Sequence, residues 1–319
     1  MDFALSEEQQ ALANTVRALL DKRADAGEDE LWRALSEEVG VAALAVPEEH
    51  DGAGASLVEA ALVLEEVGRS LVPSPLLASV VAAEALLAGG TDEARAELLP
   101  RIAAGELAAF AVPGEPALWA DRAAVLLVAG DALLLADGPG RALASMDQTL
   151  HLGVVPEAGG REIGDAGAAR ARADLVGAVG VAALSVGLAS RALEMTVAYS
   201  RERVQFGRPI GSFQALKHRM ADLHVLVEMS RSAAWAAAYA VAHDTPDAER
   251  LAHVAKSYCS DALSRVAAET VQLHGGIAIT WEHDAQRVFK RAHALGQLYG
   301  APHVHRRLIA LAGTAPAGA

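Results

Sequence analysis

Three arginines, Arg201, Arg203 and Arg208, stand close together in the stretch YSRERVQFGRPIGSFQALKHRMAD, from Tyr199 to Asp222. Fixed planar cations suit an anionic group such as a pyrophosphate, for which one or two arginines and local donors are enough. Gly207, Pro209 and Gly211 interrupt the helical run, because proline lacks a backbone donor and glycine tolerates positive φ. Beyond the break, Phe213, Leu216, Met220, Leu223 and Val227 recur at spacings of three and four, which predicts a long buried helical stripe. Periodicity alone gives a kinked helix pair with a solvated basic turn. A second stretch, VQLHGGIAITWEHDAQRVFKRA (Val271 to Ala292), holds Gln272 before the paired glycines Gly275 and Gly276. Such a pair stops a helix and lets another molecule approach the backbone.

The elements that position these residues follow from composition and pattern. A chain of 319 residues has room for two or three packed units. It is 52% hydrophobic but only 4% aromatic, and its alanine and leucine content favours helices. The formal charge of -14 argues against a nucleic-acid surface, which needs a basic field. Cys259 is the single cysteine, so no disulfide framework or cysteine metal site is expected. The start, MDFALSEEQQ, has no basic region followed by an apolar run, and the apolar runs read as too interrupted for a membrane span. A soluble, cytoplasmic protein is expected.

In chain order, Ser6 with Gln9 and Ser56 with Glu59 read as capping boxes for helices bearing Leu12, Val16 and Leu62. Helices are also expected over 28–39, 76–87 and 91–99, and the HDGAGAS loop reads as a surface turn. Between about 109 and 167 the pattern changes to short apolar runs. Ala123 to Val128 and Ala132 to Ala136 form a hairpin across Gly130–Asp131, and Leu150 to Val155 adds a strand. From Asp174 helices return, with a small-residue face at Val179, Ala183, Val186 and Ser190. Thr245-Pro246-Asp247 predicts a helix start with Thr245 as the cap. That helix carries Leu251, Val254, Tyr258, Leu263 and Val266. Further helices are expected from Trp281 to Leu298 and from Pro302 to Leu311. His303 and His305 read as a polar helix surface, since no third metal ligand is suitably spaced. The expected units are a helical domain over 1–108, a reduced β domain over 109–167, a helical bundle over 168–312 and a flexible tail over 313–319.

The two motifs together resemble the flavin-dependent acyl-CoA dehydrogenases, in which R-x-x-F-G, a following F-Q and Q-x-x-G-G lie against the flavin dinucleotide of a neighbouring subunit. The resemblance is close over the first hundred residues and from Asp174 onward, and poor between. It implies a mainly α fold with a small middle β domain and a C-terminal four-helix bundle. It also implies that Arg203, Gln205, Phe206, Gln214, Gln272, Gly275 and Gly276 contact FAD across a subunit interface. The family's T-E-P-G-x-G-S-like loop and W-x-T-N-G-like strand are not recognisable in FAVPGEPALWADRAAVLLVAGD, where Trp119 is displaced.

Family chemistry removes a proton beside a thioester while a hydride leaves for the flavin, and it needs a carboxylate base of raised pKa. The usual glutamate of Y-E-G-T corresponds to Gly300 in Tyr299-Gly300-Ala301-Pro302. The other position the family uses falls, through VGLASRALE, at Gly177; Leu184, where some relatives carry glutamate, is apolar. Asp174, a turn before Gly177, reads first as a helix-start residue, and Glu202 and Glu282 as ion-pairing residues. No catalytic residue is therefore assigned.

The resemblance thus implies the partner, β-type subunit of a heteromeric acyl-CoA dehydrogenase. It would work in an α2β2 assembly with a full-length subunit, which binds most of an acyl-CoA such as a steroid side-chain ester. An electron-transfer flavoprotein would take the electrons. Two alternatives stay open: an active homo-oligomer with an unrecognised base such as Asp174, and a flavin-free scaffold.

Overall fold

A computed structural model describes residues 4–157 and 159–312. The chain opens with α1 (Glu7–Lys22), and Ser6 and Gln9 exchange bonds at its start as the capping box predicts. α2 (Glu28–Ala34) runs on through a π turn at Leu35–Val39 and stops at left-handed Gly40, close to the expected 28–39 span. α3 (Leu57–Ser70) begins at the Ser56/Glu59 box and ends where Leu71 takes φ 59°. α4 (Leu76–Gly89) is buried almost all round, and α5 (Asp92–Ala103) is capped by Thr91. The HDGAGAS loop is a tight turn, with Asp51 at φ 62° and Gly54 donating its N–H to the Val46 carbonyl.

The middle region holds more strands than its sequence announced. β1 (Ala108–Ala111), β3 (Val125–Ala129), β4 (Leu133–Leu135) and β7 (Arg161–Gly164) form one sheet in that order. β3 and β4 are the expected hairpin, whereas β1 pairs parallel to β3, from Ala108 opposite Val125. β2 (Pro116–Leu118), β6 (Leu152–Val154) and β5 (Arg141–Leu143) form a second, antiparallel sheet. Three-residue strands are too short for a period-two pattern to show, so only the expected 150–155 run pointed to this sheet.

α6 (Ala166–Glu202) is the axis of the remainder and is capped by the Asp165 carboxylate on Ala168 N–H. It starts before Asp174, so that residue stands about two turns inside the helix rather than in its first turn. α6 crosses α3 at backbone contact. A Cβ on Gly187 would lie 1.8 Å from the Glu65 carbonyl oxygen, and one on Gly68 would lie 2.2 Å from that of Leu184. The small-residue face expected there is a steric requirement. α6 is also long and apolar enough by composition to cross a membrane, contrary to the sequence expectation, but its apolar stretch is mostly buried inside the protein.

α7 (Gln214–Ala242), α8 (Ala248–His274) and α9 (Asp284–Gln297) complete a bundle on α6, and α10 (Pro302–Ala312) lies on α8. α8 begins after Asp247, so the expected Thr245 cap is not formed. Its buried face is Ala252, Ala255, Lys256, Cys259, Leu263 and Val266, while Leu251, Val254 and Tyr258 are only half-buried. Alanines reach the core there because α6 approaches so closely. On α7, Leu223 and Val227 are buried, whereas Phe213, Leu216 and Met220 are only half-buried. The expected tail at 313–319 lies outside the described residues.

Candidate functional site

The Arg203 segment folds as a local hairpin turn at the end of α6. Arg203 ends α6, its N–H bonded to Tyr199 O at 2.9 Å. Val204–Gln205 (β8) pairs with Arg208–Pro209 (β9) across Phe206 and Gly207, at φ 52° and 78°. Positive φ at both central residues is the twist-matched hairpin turn, in which glycine is natural and phenylalanine unusual. Phe206 is nevertheless 93% exposed. Its ring meets Phe213 edge-on at 6.2 Å, and the Arg208 guanidinium sits 4.0 Å over Phe213. The hairpin is held from one side only, and its tip points outward.

Tyr199 joins the second motif to this turn. Its ring stacks on His274 at 4.5 Å, and His274 lies 4.7 Å from His283. His274 donates from Nδ1 to Thr270 O, which leaves Nε2 as an acceptor, buried and without a partner. Burial lowers its pKa, so the ring stays neutral. The hydroxyl of Ser200, next to Tyr199, is likewise buried and unpartnered. Gly275 ends α8 at φ 65°, and a Cβ on either Gly275 or Gly276 would meet nothing within 4 Å. Gln214 and Gln272 are exposed at the neighbouring helix ends, Gln214 bonded to His218 and Gln205 to its own neighbour's carbonyl. Arg203 makes no ion pair among the described residues, and neither do Glu202 and Glu282, for which ion pairs were expected. The two motifs therefore meet at one end of the bundle, with an uncommitted cation, open glycine backbone and two orphaned polar atoms. Such a surface fits an anionic dinucleotide reaching it from outside.

Gly177 and Gly300, the two positions where the resemblance places a base, lie elsewhere, beside a cavity of about 920 Å³ between the middle sheets and α6, α8, α9 and α10. Gly300, at φ 93°, lines it, and a Cβ there would stand 2.9 Å from His305 Nε2. At Gly177 a Cβ would lie 2.3 Å from Tyr299 Cδ1. Each position is filled by a neighbour, so a carboxylate side chain fits at neither without displacement. Tyr299 itself takes φ 51°, a left-handed conformation uncommon for an aromatic residue. Leu184 is buried where α6 crosses α3.

Asp174 does open into this cavity. Desolvation raises its pKa, opposed by the Arg170 guanidinium 3.9 Å away. Its side chain is 62% exposed and lines the cavity. His305, expected on a polar surface, is buried and donates from Nε2 to Tyr299 O at 2.8 Å, while His303 is exposed as expected. His305 Nδ1 meets His253 Nδ1 at 3.0 Å. Sequence reading missed this pair because its members are 52 residues apart and neither belongs to a motif. No group of three potential metal ligands lies together among the described residues.

With both sites defined, the chain can be compared with known proteins. Residues 6–106 match the acyl-CoA dehydrogenase N-terminal domain model and residues 165–313 the C-terminal domain model. An all-helical N-terminal block, a small β region and a helical bundle carrying the two motifs define the same class, and the chain belongs to the acyl-CoA dehydrogenase family. It is 45% identical to acyl-CoA dehydrogenase IpdE2 of Mycolicibacterium smegmatis over 95% of this chain and 98% of that one. Among solved structures it resembles a chain of the ChsE4-ChsE5 complex from Mycobacterium tuberculosis, with a TM-score of 0.87 and 27% identity over 99% and 100% of the two chains. A chain of the Tcur3481-Tcur3483 steroid ACAD G363A variant matches with a TM-score of 0.83 and 29% identity over 95% and 97%.

Proposed function

We propose that this chain is the partner, β-type subunit of a heteromeric FAD-dependent acyl-CoA dehydrogenase, contributing contacts to a flavin seated in a full-length subunit and no catalytic base. The observation that carries this reading is the contrast between its two sites. Both base positions, Gly177 and Gly300, are filled by the Tyr299 ring and His305, while the bundle end with Arg203, Gln272, Gly275 and Gly276 is open. Residues decaying together would not leave one motif intact and the other filled.

In this reading Arg203 pairs with the pyrophosphate, Gln205, Gln214 and Gln272 bond the dinucleotide, Phe206 covers it and the glycines admit it. Bound there, the flavin supplies hydride acceptance. The full-length subunit supplies the glutamate and most of the acyl-CoA pocket, in a cytoplasmic α2β2 complex that passes electrons to an electron-transfer flavoprotein. The steroid ACAD among the similar structures supports a bulky substrate, such as a steroid side-chain CoA ester.

One observation favours a second reading. Asp174 has the raised pKa that a base needs and faces a ligand-sized cavity, as in an active homo-oligomer. Absorbance and mass of the chain expressed with and without a full-length subunit separate the two. The partner reading expects colourless material alone and a yellow mixed complex together. Flavin in the chain alone, reduced upon acyl-CoA addition and silenced by Asp174→Asn, would establish the second. Arg203→Ala is expected to strip flavin from the mixed complex at least tenfold, read from its absorbance, without altering the complex's mass.

A further inference from the structure

The cavity is too large to be a packing defect. At about 920 Å³ it lies within the range of small-molecule sites. Phe110, Leu118, Leu150, Leu175 and Leu298 give it an apolar floor from β1, β2, the loop before β6, α6 and the end of α9.

The polar wall restricts what can enter. A carbonyl only accepts, so the bond to Tyr299 O places the His305 proton on Nε2. Burial keeps that ring neutral, so its Nδ1 accepts from His253 Nδ1–H. The other ring nitrogen of His253, Nε2, lies on the cavity wall 3.7 Å from the Glu249 carboxylate. Three carboxylates line the cavity, Glu115, Asp174 and Glu249, against one guanidinium, Arg170. Arg170 is already shared between Glu115 at 3.1 Å and Asp174 at 3.9 Å. A ligand carboxylate or phosphate entering here would meet an excess of negative charge.

We propose that this cavity is a binding site for an uncharged, mainly aliphatic or alicyclic alcohol, whose hydroxyl donates to Asp174, and that it excludes anionic ligands. The assignment rests on the partner-subunit reading, since a chain that catalysed its own reaction would need a thioester in this space.

The test is calorimetric titration of the mixed complex with 1-decanol and with decanoate, which differ only in the head group. One decanol should bind per cavity, and decanoate should bind at least tenfold more weakly. Ala171→Trp places a bulky ring in the mouth from an exposed position and should weaken decanol binding at least tenfold. Gln297→Trp, also exposed, serves if the first variant unfolds. Asp174→Asn should narrow the gap between the two ligands at least threefold by admitting decanoate. Decanoate binding as tightly as decanol, or decanol binding untouched by both tryptophan variants, overturns the proposal. Mass and flavin content report separately on the partner reading. Its failure appears as the absence of a mixed complex, in which case the same titrations are run on the chain alone.

Discussion

Lys256 shows how one residue can depart from its helix pattern. It is fully buried on α8 with no carboxylate partner among the described residues, its ammonium donating to Ser260 Oγ at 3.1 Å and Gly296 O at 3.2 Å. Burial depresses its pKa to about 8 from the ordinary 10.5. Between those values the unfolded chain holds the proton more tightly, so stability rises with pH across the window; below 8 both states are protonated and the dependence levels off. The full shift corresponds to something on the order of 3 kcal/mol. Lys256→Met should abolish the slope, as read from urea unfolding at pH 7.5 and pH 10. At Gly300 a second single-residue test applies. Gly300→Glu restores the missing carboxylate in name, but it forces a side chain onto φ 93° and against His305. It should cost roughly 1–2 kcal/mol of stability from backbone conformation alone, and the purified chain should gain no dehydrogenase activity.

Among the elements, α9 ties the three parts of the chain together. Buried Arg291 bonds Asp147 Oδ2 at 3.2 Å, Thr149 Oγ1 and the Val72 carbonyl at 3.0 Å, and Arg287 reaches the Leu71 carbonyl. These bonds anchor the loop before β6, which walls the cavity, to the turn between α3 and α4. Arg291→Met leaves Asp147 as a buried carboxylate without its cation, a change that typically costs about 3–5 kcal/mol. Limited proteolysis should then cut first within 144–151, where Met146 is already half-exposed. Nothing in the spacing of Asp147 and Arg291 announces their pairing, because they lie 144 residues apart. The capping boxes of α1 and α3, by contrast, were legible because each closes within three residues.

For the whole molecule, several of the most exposed apolar side chains lie where a second subunit is proposed to sit. Phe206, Ile279 and Trp281 are 93%, 76% and 70% exposed near the bundle end, and Val225 and Met229 are exposed along α7. Trp281, with Lys290 over its ring at 4.0 Å, is the most exposed large aromatic side chain after Phe206 among the described residues. Adding the full-length subunit should shield it, lowering acrylamide quenching of tryptophan emission, and Trp281→Phe should remove that change. Phe206→Ser should leave the isolated chain's unfolding midpoint unaltered and weaken assembly at least tenfold, since hot-spot aromatics dominate such contacts.

Read alone, the sequence determined the helical class, the caps of α1 and α3, the β3–β4 hairpin, the two motifs and the absence of glutamate at positions 177 and 300. All of these depend on residues within a few positions of one another or on residue identity itself. Only the tertiary structure decided that α8 buries alanines and a lysine beside Leu263 and Val266 while Leu251, Val254 and Tyr258 stay half-buried, because close approach by α6 selects for size. It also decided that Tyr299 and His305 fill the two glycine positions, and that Asp174 faces a cavity rather than a helix end. Those outcomes depend on contacts between segments distant in the chain, and local spacing carries no record of them.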